Sequence, residues 1–150
     1  MFNGKPIDFQ DIAVTNDGFW PDLNVKDFQD SRRIPADITA GTVADALVSA
    51  MAQVNASLEA RRAFWVGQGF IHASGISGPA YQGESYVVAQ YRKAVFARAK
   101  ADLMGEWTSV VRVKTDAQPG SEETRDSLLS EANFALRSLK GLSRVGVSII

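Results

Sequence analysis

Few residues in this sequence have the type and spacing to do chemistry. The single histidine, His72, stands close to Ser74 and Ser77, the pairing that a hydroxyl nucleophile and its general base would need. Serine hydrolases of the α/β type hold the nucleophile on a strained Gly-x-Ser-x-Gly elbow, and neither serine has those flanks. With one histidine and no cysteine, a transition-metal site would have to rest on carboxylates alone, which zinc rarely uses. Glu84 and Glu106 fall near opposite ends of one expected helix, too far apart to flank a scissile bond. Gly75-Ile76-Ser77-Gly78 lacks the Lys-Ser/Thr of a phosphate loop and the basic flanks of an RNA-binding Gly-x-x-Gly loop. No catalytic, metal or cofactor residue is expected, and an enzyme is not the reading these residues favour.

Two other groups point to binding. In Asn16-Asp17-Gly18-Phe19-Trp20-Pro21-Asp22, Asn-Asp-Gly is turn chemistry, with Gly18 able to take positive φ. Two large aromatics follow at once, some twenty residues ahead of the first strong helix. They are expected to anchor in a neighbour's pocket, since aromatic side chains dominate interface energetics; docking on the chain's own helices is the alternative. Arg92, Lys93 and Lys100 share one helix face, which reads as solvated surface or as a surface turned to DNA phosphates without sequence readout.

Charge divides unevenly along the chain. Residues 1–40 hold four basic and seven acidic side chains, and residues 41–114 hold eight basic and five acidic, although the whole carries only −1. A near-neutral chain is not a general nucleic-acid binder. An acidic start ahead of a basic middle would suit head-to-tail contacts between copies. No run of about 18 apolar residues is present for a membrane span, and the opening Met1–Pro6 lacks the apolar core of an export signal.

The elements that must position these residues are mostly helical. Asn24 is a helix cap with Val25 and Phe28 on one face, and Ile34-Pro35 ends that helix near Arg33. Thr42 is expected to cap a long helix over 42–66, because Val43, Leu47, Ala50, Met51, Val54 and Leu58 recur at three and four. Residues 67–84, with five glycines and one proline, read as loop. A second long helix spans 84–106; its stripe of Val88, Tyr91, Val95, Ala99 and Leu103 is widened by Phe96 and Trp107, which implies contact on more than one side, and its alanines permit close helix approach. Residues 108–115 fit helix or strand. A third helix is expected over 121–140, capped by Ser121 and ended by Gly141. Val145, Val147 and Ile149 alternate with polar or small residues as a strand does, and such a strand needs a partner. The expected fold is therefore mainly α: a small bundle of three principal helices, an extended N-terminal arm over 1–23, and a single domain over 24–150 with a short C-terminal β-strand.

The order of several blocks resembles one known family. Thr15 to Asp22 with Asp27-Phe28 and Arg33, then Ala46-Leu47, Ala50-Met51, Val54-Asn55 and Leu58, look like the opening of the GPL-type head completion (head stabilisation) proteins of contractile-tailed temperate phages. Tyr91, Ala94-Val95, Ala99 to Leu103, Leu139 to Arg144 and Val147 to Ile150 continue the likeness, which covers about residues 12–150. Trp20 departs from it, standing where the family pattern has a second phenylalanine, and residues 105–120 fit it poorly. The resemblance implies a virion structural protein at the head–tail junction, assembled in the host cytoplasm. It further implies a homo-oligomeric ring, twelvefold, that stabilises the DNA-filled head, with the portal protein and a tail terminator or other neck component as partners. A small nucleic-acid-binding regulatory module is the competing reading.

Overall fold

In a computed structural model, which describes residues 11–111 and 123–141, the chain first folds back on itself as a minimal antiparallel pair. β1 (Ala13–Val14) lies beside β2 (Leu23–Asn24), with Val14 opposite Leu23. Helix α1 (Val25–Ser31) follows directly, and the Asn24 side chain accepts the Lys26 N–H at 2.8 Å, the cap that its residue type favours. α1 closes with Ile34 N–H on Gln29 O at 3.0 Å while Arg33 takes φ 55°. That left-handed position is one where glycine is normally found.

Helix α2 (Ala40–Ser57) buries Val43, Leu47, Ala50, Met51 and Val54, as their spacing requires. Its cap is Thr39 and not Thr42. Thr39 is extended and its Oγ1 accepts the Thr42 N–H at 3.3 Å, so Thr42 belongs to the first turn. Nor does one helix run to residue 66. At Leu58 (φ −102°, ψ 9°) the backbone N–H is shared between Val54 O at 3.0 Å and Asn55 O at 3.2 Å. A separate helix α3 (Glu59–Gly67) then departs and buries Trp65. Leu58 is itself fully buried, so the bend is pinned by packing in a stretch that has neither glycine nor proline.

The expected loop over 67–84 has structure of its own. A 3₁₀ turn (Ala73–Gly75) is followed by a hairpin of β3 (Ala80–Tyr81) and β4 (Glu84–Ser85). Gln82 and Gly83 take φ 50° and 82°, the paired positive values a two-residue type I′ turn requires.

Helix α4 (Tyr86–Val111) begins at once, and through Val111 it resolves the ambiguous 108–115 stretch in favour of helix; the rest of that stretch lies outside the described residues. Helix α5 (Arg125–Leu139) is capped by Thr124, not Ser121: Thr124 Oγ1 takes the Ser127 N–H at 2.9 Å and Ser127 Oγ takes the Thr124 N–H at 3.0 Å. This reciprocal bonding satisfies two free donors and places the helix start later than the glutamates alone imply. Gly141 follows the helix with φ 75°. The C-terminal strand assigned to Val145, Val147 and Ile149 lies outside the described residues.

α4 is the axis of the bundle. Its Ala97 and Ala101 pack against Leu128 and Ala132 of α5, and its first residue, Tyr86, bonds Ser138 near the α5 terminus, so the two helices are antiparallel. On another side Tyr91 meets Asn55 of α2 at 2.6 Å, and Phe96 meets Phe28 of α1 at 5.0 Å between ring centroids. Ala94, Ala97, Ala99 and Ala101 are each 0% exposed, which is why small residues recur: their short side chains let several helices approach the same rod. The wide apolar face thus has contacts on several sides.

Replacing Arg33 by glycine removes the left-handed strain of a residue with a Cβ, and is expected to raise stability by about 1 kcal/mol. Chemical denaturation of the two proteins checks this; an unchanged or lower midpoint would mean that the Arg33 side chain contributes more than its backbone costs.

Candidate protein interface

The Asn16–Asp22 segment folds into a turn held by its own side chains. Asp17 Oδ1 accepts the backbone N–H of both Phe19 and Trp20 at 2.9 Å, and Gly18, between Asp17 and Phe19, takes φ 93°. Asn16 N–H donates to Asp22 Oδ1 at 2.7 Å, which ties one end of the turn to the other. The Asn16 amide then reaches inward. Its Nδ2 donates to Pro21 O at 2.7 Å and to Tyr91 Oη at 2.8 Å; the Tyr91 hydroxyl donates to Asn55 Oδ1 at 2.6 Å; and Asn55 Nδ2 returns to Asn16 Oδ1 at 2.9 Å. Each of the three side chains both gives and receives, so a buried tyrosine hydroxyl sits in a closed cycle. Burial pushes the Tyr91 pKa well above its ordinary value; the bond from Asn16 opposes that rise and the Asp17 charge adds to it.

This turn aims both aromatic rings at the chain's own helices. Trp20 stacks on Tyr91 at 4.7 Å and 7°, and meets Trp65 edge-on at 6.0 Å. Phe19 lies edge-on to Trp20 at 5.0 Å. Phe19 and Trp20 are only 4% and 2% exposed. The expectation that they anchor in a neighbouring molecule is therefore corrected: neither ring is free to enter another pocket. Distance along the chain misled the reading, because α3 and α4 bring Trp65 and Tyr91 to the turn across the fold. For the same reason residues 11–23 are not an arm; Val14, Phe19, Trp20 and Leu23 belong to the main core. What the motif leaves on the surface is Asp17, Gly18 and Asp22, with Asn16 and Pro21 half-buried.

His72, the one candidate base, serves as a strap. Its Nδ1 donates to Gly18 O at 2.9 Å, the only direction a carbonyl allows, and the next residue's N–H holds Phe19 O at 2.9 Å. A shallow hollow of about 330 Å³ lies between the turn and His72 and Ser74.

The basic residues on α4 do not form a free stripe. Arg92 makes a two-pronged ion pair with Glu84, and Lys100 is held by Arg32 O at 2.8 Å and by Glu123, its side chain 12% exposed. Arg32 in turn pairs with Glu131 at 2.6 Å, linking the end of α1 to α5. The reading of Arg92, Lys93 and Lys100 as one DNA-facing surface is corrected to this extent: α4 is covered on several sides, so two of the three charges are neutralised within the subunit. Lys93 is exposed and in no ion pair among the described residues.

Sequence reading missed the polar cycle. Asn55 follows Val54 on α2, and Tyr91 sits in the apolar stripe of α4. A buried tyrosine needs a hydroxyl partner, which was the available signal, but nothing local names Asn16 as that partner. Among the described residues no group of acidic or histidine side chains could hold a metal ion, and no helix is long and apolar enough to cross a membrane.

The model of the phage head completion protein (GPL) family matches residues 14–150. Among similar curated proteins, the "Probable head completion/stabilization protein" of Haemophilus phage HP1 is 37% identical over 150 residues, spanning all of both chains. The "Head completion/stabilization protein" of Escherichia phage P2 is 29% identical over 140 residues, covering 92% of this chain and 83% of that one. No solved structure matches the chain.

Trp20→Ala removes a fully packed indole and is expected to cost about 3–5 kcal/mol in unfolding of the isolated chain. A loss below about 1 kcal/mol, the scale of exposed sites, would be incompatible with the stacking described. Tyr91 also gives a pH signature. A tyrosine with a raised folded pKa keeps its whole contribution below its unfolded value near 10 and loses it as the pH climbs above that. The stability advantage of the parent over Tyr91→Phe should therefore be flat to about pH 9 and shrink by up to about 1.4 kcal/mol per pH unit above pH 10. Parallel denaturation curves across that range would show Tyr91 to be ordinary.

Proposed function

The chain belongs to the phage head completion protein (GPL) family, and from that premise we propose that it is a non-enzymatic virion component of the head–tail junction. In this reading, copies assemble as a ring of twelve under the portal after DNA is packaged. The ring stabilises the filled head and offers a platform to the tail terminator or another neck component. The observation that carries it is the reach of the family match, which takes in residues 14–150 and so the whole described fold except residues 11–13.

The geometry supports the same reading in two ways. The turn at Asn16–Asp22 completes the subunit's own core, so Phe19 and Trp20 are buried without a partner molecule. The residues with chemical potential are engaged in holding that fold, His72 against the turn and Glu84 against Arg92. Val145, Val147 and Ile149 are assigned to pairing with another strand, within or between subunits. Contact with packaged DNA, if made, is non-specific and includes Lys93.

The test is complementation of a phage from which the gene has been removed. Without the chain, filled heads should lose nuclease protection of their DNA and fail to join tails; supplying it in trans should restore both. Heads that keep their DNA and join tails at the parental level without it would overturn the proposal.

A further inference from the structure

Two exposed apolar features sit on different sides of α4. Tyr86 and Phe134, 41% and 54% exposed, flank a groove of about 330 Å³ between the start of α4 and the end of α5. The bond between the Tyr86 hydroxyl and Ser138 joins the two helices there, and Gln90, Lys93 and Arg137 line the rest. The lining holds basic residues and no acidic one. The second feature is Ile71, 77% exposed. It precedes His72, which holds Gly18 O, so it borders the Asp17–Asp22 turn. Both carboxylates of that turn are exposed, accept only backbone N–H groups, and are in no ion pair among the described residues.

Helical geometry separates the two. At about 100° per residue, Tyr86, Gln90 and Lys93 point within about 60° of one another, whereas Tyr91, which faces the turn, points about 130° away from them. Groove and knob therefore cannot meet within one molecule. A knob and a complementary groove on different sides of the same chain make a heterologous contact, which repeats from copy to copy and closes into a ring where the rotation allows.

We propose that Ile71 of one copy seats in the Tyr86–Phe134 groove of the next, with Asp17 and Asp22 set against Lys93. Charge favours Ile71 over Phe64, the exposed aromatic of α3. Phe64 carries the Arg61 guanidinium over its ring at 4.8 Å and would bring a cation to a basic groove, while Ile71 brings two carboxylates. This assignment rests on the ring reading above and names its subunit contact.

The chain has no cysteine, so disulfide trapping is clean. A chain carrying I71C and Q90C together should give a ladder of multimers on mild oxidation. Each single variant alone should stay monomeric, since a heterologous contact never brings two copies of one position together. A mixture of the two single variants should stop at the dimer. K93E should lower the ladder yield severalfold, and adding D17N with D22N, whose amide oxygens can still accept the N–H groups of the turn, should recover part of it by removing the like-charge repulsion. Both cysteine positions are outside the main core, and reduced I71C/Q90C should unfold at the parental temperature. Absence of a ladder, or single variants that dimerise as readily as the mixture, overturns the contact. So does a ladder that forms only after residues 142–150 are deleted, because the groove then holds the chain's own end. Complementation separates the two levels: if trapping fails while the chain still protects packaged DNA, only the contact falls, and if the unaltered chain gives no protection, the functional reading falls with it.

Discussion

Tyr91 stands where distant parts of the chain must agree. Its ring is the floor on which Trp20 stacks, and its hydroxyl is the hinge of the cycle that joins Asn16 of the turn to Asn55 of α2. A buried hydroxyl without a partner costs on the order of 1–3 kcal/mol, so the cycle constrains as well as holds. If the turn shifts, Asn16 leaves Tyr91; if α2 shifts, Asn55 leaves both. The indole, the turn and two helices are thereby placed relative to one another by one side chain. The bend at Leu58 answers to the same centre, since it lets α3 turn Trp65 against Trp20 and Phe19.

The rest of the bundle follows from α4 having neighbours on several sides. A helix flanked in this way cannot show one polar face, and its alanines reflect the closeness of those neighbours. The charges it does carry are answered from other elements, Arg92 by Glu84 of the hairpin and Lys100 by Glu123 and the end of α1. These pairs are partly exposed, so each adds little stability of its own. Their consequence is electrostatic: they cancel the positive charge that a linear reading of α4 assigns to an outer surface.

The proposed role, joining other proteins, requires folding surfaces kept apart from docking surfaces. Here the most aromatic part of the sequence is spent on folding. The surface is left with smaller apolar features, such as Ile71 and the Tyr86–Phe134 groove, each edged by charge. In the proposed ring, contacts of that kind, weak singly, would gain strength through repetition, since every copy would contribute the same pair of patches.

Much of this was legible in the sequence because it is local. The cap at Asn24, the positive φ of Gly18 and Gly141, and the buried positions of α2 follow from side-chain chemistry and from a period of 3.6 residues, which neighbouring residues set without reference to the rest of the chain. The order and spacing of several residue blocks likewise named the family. Boundaries were less legible: Thr39 and Thr124 took the capping roles assigned to Thr42 and Ser121, because several residues near a helix start have a suitable oxygen and only the backbone path chooses among them. The Gln82-Gly83 hairpin was hidden by a weaker turn signal than Asn-Gly. What tertiary structure alone decided was which residues meet. Phe19 and Trp20 read as exposed from their distance to the first long helix, yet Trp65 and Tyr91 reach them through space. Arg92, Lys93 and Lys100 read as one face, yet partners from other elements claimed two of them. Periodicity states that a side chain must be buried or solvated on average; the partner that buries it is set by packing between segments far apart in sequence, which no local pattern contains.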